Sequence, residues 1–457
     1  MAGTIRKVLV ANRGEIACRI IRTCRKLGIK TVAVYSDADK NSMHVSLADE
    51  SQPVGPSAAR DSYLRADRMI EAARLAGADA IHPGYGFLSE NPDFARAVIE
   101  AGLILIGPTP QTIEDMGDKE RARMLAKGAG VPVLIGSARI TPYNLQGLSD
   151  TAAEVGYPLL VKAAAGGGGI GMRRIDQPAE LEKTVHATQE FAAKAFGDSG
   201  IYLERYIEPA RHIEIQVFGF GDGRAVHLFE RECSIQRRFQ KIIEESPAPR
   251  LDESARDAMA AAAIALVRQQ RYAGAGTVEF VVDSSGNFYF LEMNTRIQVE
   301  HPVTEMITGL DLVELQIRLA GKDPLSALTQ NSIMAAGHAL ECRIYAEDPS
   351  RNFMPSPGPL TVFKVPNPAP GIRIDTGFCE GDAITYYYDP MIAKVIVHGP
   401  SREAALSKMR AALDEFQIEG VKTNLGLLRK MLVHPEFRAG NTFTRFVDTY
   451  MTELLAN

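Results

Sequence analysis

A run of alternating polar side chains in the second half of the sequence constrains the fold most strongly. Every even position from 292 to 300 is polar, and these residues are Glu292, Asn294, Arg296, Gln298 and Glu300. An extended chain sends alternate side chains to opposite faces, so all five polar groups would line one wall. The pattern leaves open how far the strand extends before it becomes a loop. Because glutamate and asparagine are poor strand formers, their presence favours a binding site over a polar sheet face in water.

The segment just before this run predicts a β-hairpin. Two stretches within residues 277–294 are rich in β-branched and aromatic side chains, and turn residues separate them. The hairpin places Glu279 opposite Leu291 or Glu292, depending on the register. A carboxylate in an apolar strand is costly to bury unless it is paired or bound to a metal. With Asn294 next along, these oxygen groups suit a Mg²⁺ ion that bridges nucleotide phosphates.

Length and composition narrow the class of protein. The 457 residues suggest about three domains of ordinary size, with enough apolar residues to bury a large core. The net charge of −5 argues against a broad nucleic-acid or anionic-membrane surface, and no apolar run is long enough to span a bilayer. The N-terminus has no secretory signal shape, and the five scattered cysteines are typical of reduced thiols. We therefore expect a cytoplasmic protein without a nucleic-acid or membrane partner.

The N-terminal part predicts a parallel sheet with helical crossovers. Residues 8–35 have a strand–helix–strand pattern, and residues 78–106 repeat it. The first turn, at residues 12–15, lacks the glycine triplet of a dinucleotide site, so this domain need not bind a cofactor. Functional loops in such sheets lie at the carboxyl ends of strands, where residues 83–90 form a glycine-rich loop. Its site candidates are Tyr85 and Glu90, although a tight connection is about as probable a role for this loop.

A glycine-rich segment at residues 166–171 predicts a phosphate-covering lid. It fits G-x-G-x-x-G, but a short strand pattern follows it rather than a helix, and no Walker-type Gly-Lys-Ser/Thr occurs. Bare backbone N–H groups in such a hairpin can approach phosphate oxygens, whereas a flexible linker is the alternative role. Lysines that could meet an anion nearby are Lys119, Lys162 and Lys241.

Together these motifs resemble the biotin carboxylase family of the ATP-grasp superfamily. They follow the family's order across nearly the whole chain, and the long motif at 292–305 is the most specific. The matching segments are residues 11–16, 82–91, 116–119, 233–238, 292–305 and 341–343.

The resemblance implies a mixed α/β and α+β architecture with an ATP-grasp fold. It implies an N-terminal Rossmann-like parallel-sheet domain at residues 1–117. An ATP-grasp domain would follow at 118–334, with a small, mobile glycine-loop lid domain at about 135–204. A β-rich C-terminal biotin carboxylase domain would cover residues 335–457.

The resemblance also implies an activity. ATP and bicarbonate would give carboxyphosphate, and the carboxyl group would pass to N1′ of carrier-bound biotin, leaving ADP and phosphate. This is the first half-reaction of a biotin-dependent carboxylase, and it would use Mg²⁺ or Mn²⁺, with two ions expected. Biotin would be a substrate on a biotin carboxyl carrier protein or domain, not attached to this chain. A carboxyltransferase subunit would use the product, and the chain would form a homodimer.

Roles carry over from the family position by position. ATP would contact Lys119, Lys162, Gly168, Gly169, Glu204, Arg205, Tyr206, Ile207, His212, Gln236, Phe239, Glu279 and Glu292, and the metal would bind Glu279, Glu292 and Asn294. Bicarbonate would contact Lys241, Arg296, Gln298, Val299 and Glu300, and biotin would contact Arg343 and Tyr85. The catalytic residues would be Arg296, Glu300, Lys241 and Arg343. In this scheme Glu300 is the general base for bicarbonate, and Arg343 stabilises enolate-like biotin.

Three positions depart from the family pattern. Ile170 stands where the lid usually carries Lys or Arg, Phe239 stands where His is frequent, and Arg205 replaces a usual Lys. The first two changes remove polar contacts near the phosphates, so we expect weaker ATP binding with the chemistry retained. An unchanged KM for ATP in Ile170→Lys would refute this hypothesis.

Two alternative functions stay open at the level of sequence. One is another ATP-grasp carboxylate ligase, which bicarbonate-dependent ATP cleavage would distinguish. The other is a catalytically weak nucleotide-binding regulatory or structural subunit, which would bind ATP without hydrolysing it.

Overall fold

The computed structural model describes residues 5–164 and 171–456 of the chain. The first strands are β1 (Lys7–Val10), β2 (Lys30–Ser36), β3 (Glu50–Gly55), β4 (Ala80–His82) and β5 (Ile104–Leu105). They form one parallel sheet in the order β3-β2-β1-β4-β5, which confirms the predicted N-terminal architecture.

Helices cover this parallel sheet. They are α1 (Gly14–Lys26), α2 (Met43–Leu47), α3 (Ala66–Leu75), α4 (Pro92–Glu100) and α5 (Pro110–Gly117), with short 3₁₀ turns at Asp37–Asp39 and Ala59–Asp61. The predicted apolar stripe of α1 is buried, since Ile16, Ile20 and Ile21 are almost fully shielded from solvent. Asn91 caps α4 by accepting a hydrogen bond from the Phe94 backbone N–H at 2.9 Å.

A smaller unit follows in the chain. Its elements are α6 (Lys119–Gly128), α7 (Leu148–Val155), β6 (Leu159–Ala163), β7 (Met172–Ile175), a 3₁₀ turn at Pro178–Glu180, α8 (Leu181–Phe196) and β8 (Ile201–Arg205). The three strands form an antiparallel sheet in the order β7-β6-β8. Strands β6 and β7 flank the glycine-rich segment, as the strand–loop–strand prediction requires. The glycines at 168 and 169, and Ile170, lie outside the described residues.

An antiparallel sheet of eight strands dominates the rest of the chain. The strands after β8 are β9 (Arg211–Phe220), β10 (Ala225–Arg237), β11 (Gln240–Ser246), β12 (Ala273–Val282), β13 (Phe288–Asn294), β14 (His338–Tyr345), β15 (Glu347–Asp348), β16 (Met354–Pro355), β17 (Gly358–Pro359), β18 (Val362–Lys364), β19 (Ile372–Thr376), β20 (Ala383–Ile384), β21 (Met391–Gly399) and β22 (Gln417–Glu419). The large sheet has the order β13-β12-β9-β10-β11-β14-β21-β19, and the shorter strands pair two by two.

Helices pack against the strands of the large sheet. They are α9 (Glu253–Gln269), α10 (His301–Thr308), α11 (Leu312–Ala320), α12 (Arg402–Glu415), α13 (Leu425–Val433), α14 (Pro435–Arg438) and α15 (Phe446–Leu455), with 3₁₀ turns at Gln330–Ser332 and Pro349–Arg351. Apolar residues of β11, β14, β21 and the last four helices form one continuous core. In the described part of the chain, no helix combines the length and apolarity that crossing a membrane requires.

The predicted hairpin forms between β12 and β13. Glu279 lies opposite Glu292, and a bulge follows Glu279. Strand β13 ends at Asn294, so the alternating run leaves the sheet halfway. The chain then turns, the backbone carbonyl of Gln298 accepts from the His301 N–H at 3.3 Å, and α10 begins.

Candidate active site

A cavity of about 610 Å³ lies between the small antiparallel sheet and the large one. The whole alternating run lines it, and its residues are Glu292, Asn294, Arg296, Gln298 and Glu300. The expected common wall therefore exists, but two different elements build it. Glu292 and Asn294 belong to β13, whereas the other three lie on the turn into α10.

The centre of the cavity is an ammonium group surrounded by three carboxylates. The Lys241 Nζ lies 2.6 Å from Glu214 Oε2, 2.9 Å from Glu279 Oε1 and 2.6 Å from Glu300 Oε1. Burial alone would lower the pKa of Lys241, but these carboxylates outweigh it and hold the pKa well above its usual range. This lysine is therefore charged throughout the neutral range.

A tight turn places Lys241 at this point. Strands β10 and β11 pair up to Arg237 and Gln240, so only Arg238 and Phe239 form the loop. Both have positive φ, 48° and 66°, as the two-residue turn of a twisted hairpin requires. Residues other than glycine are strained in this backbone conformation, and strain of this kind concentrates at functional sites.

Glu300 joins two cations in the cavity. Its Oε1 contacts Lys241, and its Oε2 accepts a hydrogen bond of 2.8 Å from the Arg343 guanidinium. Burial would raise the pKa of Glu300, but Lys241 and Arg343 lower it to about 2. The carboxylate is thus ionised at neutral pH, as the resemblance to the family requires of a base.

Sequence reasoning missed Glu214 and Arg231, which organise this centre. The fully buried Arg231 guanidinium donates to side-chain oxygens on strands β9 and β12, on the turn after β13 and on α10. Its acceptors are Glu214 at 2.6 Å, Gln216 at 2.6 Å, Thr277 at 3.1 Å, Gln298 at 2.5 Å and Thr304 at 2.9 Å. A signal was present, because polar and apolar residues alternate from 212 to 217 in the same way as from 292 to 300.

The proposed metal ligands form an oxygen-rich corner beside Lys241. Glu279 Oε1 accepts from Asn294 Nδ2 at 2.8 Å and from Gln298 Nε2 at 2.7 Å, and His212 Nε2 lies 2.9 Å from Glu279 Oε2. Burial would raise the pKa of Glu279, but Lys241 and His212 hold it well below its usual range.

Glu292, the cross-strand neighbour of Glu279, is open to the cavity rather than packed in the core. Removal from bulk water raises the pKa of Glu292, and the negative charges of Glu279 and Glu90 raise it further. A divalent cation between Glu279 and Glu292 would relieve this repulsion, and carboxylate oxygens are the ligands that Mg²⁺ prefers. The residues present therefore fit the ion that the family resemblance implies.

Arg296 connects this corner to the N-terminal sheet. Its Nε donates to Glu90 Oε2 at 2.8 Å, and one terminal nitrogen donates to Asn294 Oδ1 at 2.8 Å. Glu90 comes from the glycine-rich loop after β4. The structure therefore brings this loop candidate into contact with a residue that lines the cavity.

The predicted nucleotide end of the cavity is lined by lysines from the small unit. Lys162 on β6 forms an ion pair with Glu204 on β8, and Lys119 begins α6. Burial lowers the pKa of Lys119, and the nearby Lys162 contributes to the lowering. His212, Gln236 and Phe239 also line the cavity, and the His212 and Gln236 side chains are 3.0 Å apart.

Three predicted nucleotide contacts, Arg205, Tyr206 and Ile207, are not among the residues that line the cavity. The backbone N–H groups of the first two donate to backbone carbonyls of the protein. The Arg205 N–H donates to the Ile135 carbonyl, and the Tyr206 N–H donates to the Pro158 carbonyl.

At the opposite end, Arg343 lines the cavity, whereas the other predicted biotin contact, Tyr85, is not among the lining residues. The Tyr85 hydroxyl donates to Glu15, whose Oε1 is 3.2 Å from the Lys394 Nζ. Lys394 in turn donates to the backbone carbonyl of Val299 at 2.6 Å. The proposed biotin and bicarbonate contacts are thus linked through buried charged groups.

Comparison with known proteins adds independent findings. Family models match at residues 4–113 (biotin carboxylase, N-terminal domain), 118–328 (carbamoyl-phosphate synthase L chain, ATP binding domain) and 341–449 (biotin carboxylase C-terminal domain). Biotin carboxylase 1 of Bacillus subtilis (strain 168) is 50% identical over 447 residues, which cover 98% of this chain and 99% of the relative.

Longer relatives match over part of their length. The alpha subunit of mitochondrial methylcrotonoyl-CoA carboxylase from Rattus norvegicus is 49% identical over 453 residues, covering 99% of this chain but 63% of that subunit. The chain thus spans less than two thirds of such relatives. A solved structure, the biotin carboxylase domain dimer of Hydrogenobacter thermophilus 2-oxoglutarate carboxylase with MgADP, ADP and bicarbonate, superimposes with a TM-score of 0.94, 46% identity and 100% coverage of both chains.

Proposed function

The chain belongs to the biotin carboxylase family, and on that premise we propose that it uses ATP and bicarbonate to carboxylate biotin. One observation carries this proposal: Glu300 contacts Lys241 and Arg343 in the same cavity, 2.6 and 2.8 Å away. A base between two cations can take a proton from an anionic substrate bound at one cation, while the acceptor of the carboxyl group binds at the other cation.

In the first step, bicarbonate lies beside Lys241, Arg296 and the turn that carries Val299. Glu300 takes the proton of its O–H group, and the same oxygen attacks the terminal phosphorus of ATP. The new oxygen–phosphorus bond gives carboxyphosphate, and ADP leaves as the old bond breaks. Lys119 and Lys162 hold the phosphates with their charges.

The divalent ion belongs to this step as well. Glu279, Glu292 and Asn294 would hold Mg²⁺, which neutralises phosphate charge when bound. His212 and Gln298 already orient Glu279 through contacts of 2.9 and 2.7 Å. These two side chains would keep one face of the carboxylate fixed toward the cavity.

Glu300 becomes a better base when substrate arrives. With its pKa near 2, it is ionised but accepts protons poorly. Bicarbonate competes with Glu300 for the Lys241 ammonium and so weakens the contact that depresses the pKa. Substrate binding would thereby move the pKa of Glu300 toward the range useful for proton transfer.

In the second step, Arg343 binds the ureido oxygen of biotin and stabilises the negative charge that develops when N1′ loses its proton. Tyr85 would support the ring from behind. The phosphate group released from carboxyphosphate takes the N1′ proton, N1′ forms a bond to the carboxyl carbon as the bond from that carbon to the phosphate oxygen breaks, and phosphate leaves. The guanidinium is suited to this role because it stays charged at every pH of interest.

We extend the proposal to partners and location. A biotin carrier protein or domain would deliver the substrate, a carboxyltransferase would use the product, and the solved relative that is a dimer supports a homodimer here. The cysteines at 18, 24, 233, 342 and 379 are all unpaired, which favours a reducing compartment such as the cytoplasm.

The test is ATP hydrolysis by the purified chain with Mg²⁺ and free biotin, with and without bicarbonate. Phosphate release that requires bicarbonate and rises with biotin supports the proposal. ATP cleavage without bicarbonate dependence indicates another carboxylate ligase. Saturable ATP binding without cleavage indicates the nucleotide-binding subunit.

A further inference from the structure

Four buried charged side chains, one of which is Arg343, share one face of the large sheet. Glu244 on β11 lies opposite Glu341 on β14, and Arg343 lies opposite Lys394 on β21. Directly opposed residues in antiparallel strands point to the same face, and so do residues two apart on one strand. We call these four residues, Glu244, Glu341, Arg343 and Lys394, the charged quartet.

The two cations of the quartet are not equally available. Lys394 is engaged by the Val299 carbonyl at 2.6 Å and by Glu15 Oε1 at 3.2 Å. Arg343 is shared, because one terminal nitrogen lies 2.5 Å from Glu244 Oε1 and 2.8 Å from Glu300 Oε2. Glu244 and Glu300 therefore compete for the same guanidinium.

The two acids of the quartet are fully buried; Arg343 is the ion-pair partner of Glu244, whereas the Glu341 carboxyl group has no hydrogen-bond or ion-pair partner among the described residues. Two adjacent buried carboxylates cannot both be ionised without a large free-energy cost. Burial raises the pKa of Glu341 well above its usual range, and burial raises the pKa of Glu244 to about 7 against the opposing effect of Arg343. Glu341 is thus the neutral acid at neutral pH, whereas Glu244 changes from neutral to charged as the pH rises through about 7.

Other titratable groups face this pair from each packed element. They are Cys233 from β10, Lys241 from β11, Glu300 from the turn before α10, Cys342 and Tyr345 from β14, and Lys394 from β21. Among the described residues, none of these groups forms a direct ion pair with Glu244, whereas Arg343 does, at 2.5 Å.

We propose that Glu244 is a positioning residue for the biotin step, and that its charge holds the Arg343 guanidinium in place once Glu300 has taken up a proton. This inference rests on the proposed function. When Glu300 accepts the proton of bicarbonate it becomes neutral, and Arg343 loses that ion pair. A buried guanidinium without a counter-ion is strongly disfavoured, so Arg343 would move or draw in water just when biotin must bind. Glu244 still supplies a counter-ion then, because it contacts the same terminal nitrogen of Arg343 as Glu300 does.

The test compares Glu244→Gln with Glu341→Gln. Both variants replace a buried carboxyl group by an amide of nearly the same shape, but only the first removes a negative charge from Arg343. For Glu244→Gln we expect kcat/KM for free biotin to fall about ten-fold or more, the scale of one lost charge-assisted contact. ATP cleavage that depends on bicarbonate in the absence of biotin should stay at the wild-type rate. Glu341→Gln should match the wild type in both assays.

A pH profile gives a readout that a purely structural role would not change. Glu244 is ionised above its raised pKa and neutral below it, so the wild-type KM for biotin should rise as the pH falls through about 7. Glutamine has no charge to lose, so Glu244→Gln should show a raised KM that is flat across this range. Glu244→Asp keeps the titratable charge, so it should show part of the wild-type rise in the KM for biotin at low pH.

Several outcomes would overturn the inference. They are a wild-type KM for biotin in Glu244→Gln, an equal loss in Glu341→Gln, or an equal loss of ATP cleavage without biotin. If Glu244→Gln does not fold, the wild-type profile decides, because a KM for biotin that is flat through pH 7 contradicts the proposal. Failure of the proposed function would look different, since the wild type itself would then show no bicarbonate-dependent carboxylation.

Discussion

Glu300 has the decisive position among the individual residues, because its two oxygens contact different cations. We predict that Glu300→Gln lowers bicarbonate-dependent ATP cleavage by about 10²–10⁴-fold, the usual contribution of a general base. Binding of ADP should be unchanged, because the lysines of the nucleotide end are untouched. Steady-state phosphate release and calorimetric titration with ADP measure the two effects. Equal losses in both would mean that Glu300 supports the cavity rather than the chemistry.

Phe239 offers a second prediction at this scale. The residue is 62% exposed and lines the predicted nucleotide end of the cavity, where its side chain offers no hydrogen-bond donor to a phosphate. We expect Phe239→His to lower the KM for ATP, because an imidazole N–H can donate to a phosphate oxygen. Phe239→Leu is the matched control and should leave this KM unchanged. If the two variants behave alike, Phe239 does not limit ATP affinity.

The sequence predicts single residues well where they lie in one short pattern. The run from 292 to 300 reaches the cavity as predicted, because alternation is a local property of the chain. The contact between Arg343 and Glu244 was not predictable in this way, since it depends on the register between β11 and β14. Nothing in either segment alone specifies that register.

At the scale of elements, Arg231 connects strands β9, β10 and β12 with α10. We predict that Arg231→Met lowers the free energy of unfolding by about 3–5 kcal/mol, because it leaves the buried Glu214 without its nearest guanidinium. Urea unfolding followed by circular dichroism measures this change.

Arg224→Met is the control for this prediction. Arg224 is on the surface, its side chain is 55% exposed and it pairs with Asp222, so its loss should cost less than about 1 kcal/mol. Similar destabilisation in both variants would contradict the role given to Arg231.

Two elements show why local patterns fail. Strand β13 ends at Asn294, but the alternation of polar residues continues into the turn before α10. The alternation therefore does not mark where the strand ends. The turn at Arg238 and Phe239 has positive φ without glycine, asparagine or aspartate, so composition gives no warning of it. In both places tertiary contacts of the cavity override the local preference.

On the scale of the whole molecule, an ion network joins distant parts of the chain. Glu305 on α10 accepts from Arg19 on α1 at 2.7 Å and from Arg373 on β19 at 2.7 Å. Burial would raise the pKa of Glu305, but the two arginines lower it below its ordinary value. Its stabilising contribution is therefore complete above the ordinary pKa and is lost as the pH falls through the lowered one.

This linkage gives a pH prediction. Glu305→Gln should lower the Tm at pH 7, and the difference from the wild type should shrink as the pH falls below about 4.3, the ordinary glutamate pKa. Calorimetric scans across this range measure it. Glu403→Gln, whose side chain is 63% exposed, is the control and should show little difference at any pH. A gap for Glu305→Gln that stays constant down to low pH would refute the linkage.

The overall architecture was predictable in part. The parallel N-terminal sheet follows from local strand–helix patterns, whereas those patterns do not specify its strand order. The pairing of β11 with β14 makes one sheet across residue 335, and such a long-range pairing has no local signal. The division at residues 117 and 334 stays a prediction.

In the proposed mechanism, a bicarbonate oxygen attacks the terminal phosphorus of ATP before biotin is carboxylated. Its most direct test uses bicarbonate labelled with heavy oxygen, supplied with ATP, Mg²⁺ and biotin, followed by mass analysis of the released phosphate. We predict that each phosphate carries one oxygen from bicarbonate, because the oxygen that attacks in the first step remains bonded to phosphorus when phosphate leaves. Phosphate that takes its new oxygen from water instead would contradict the account.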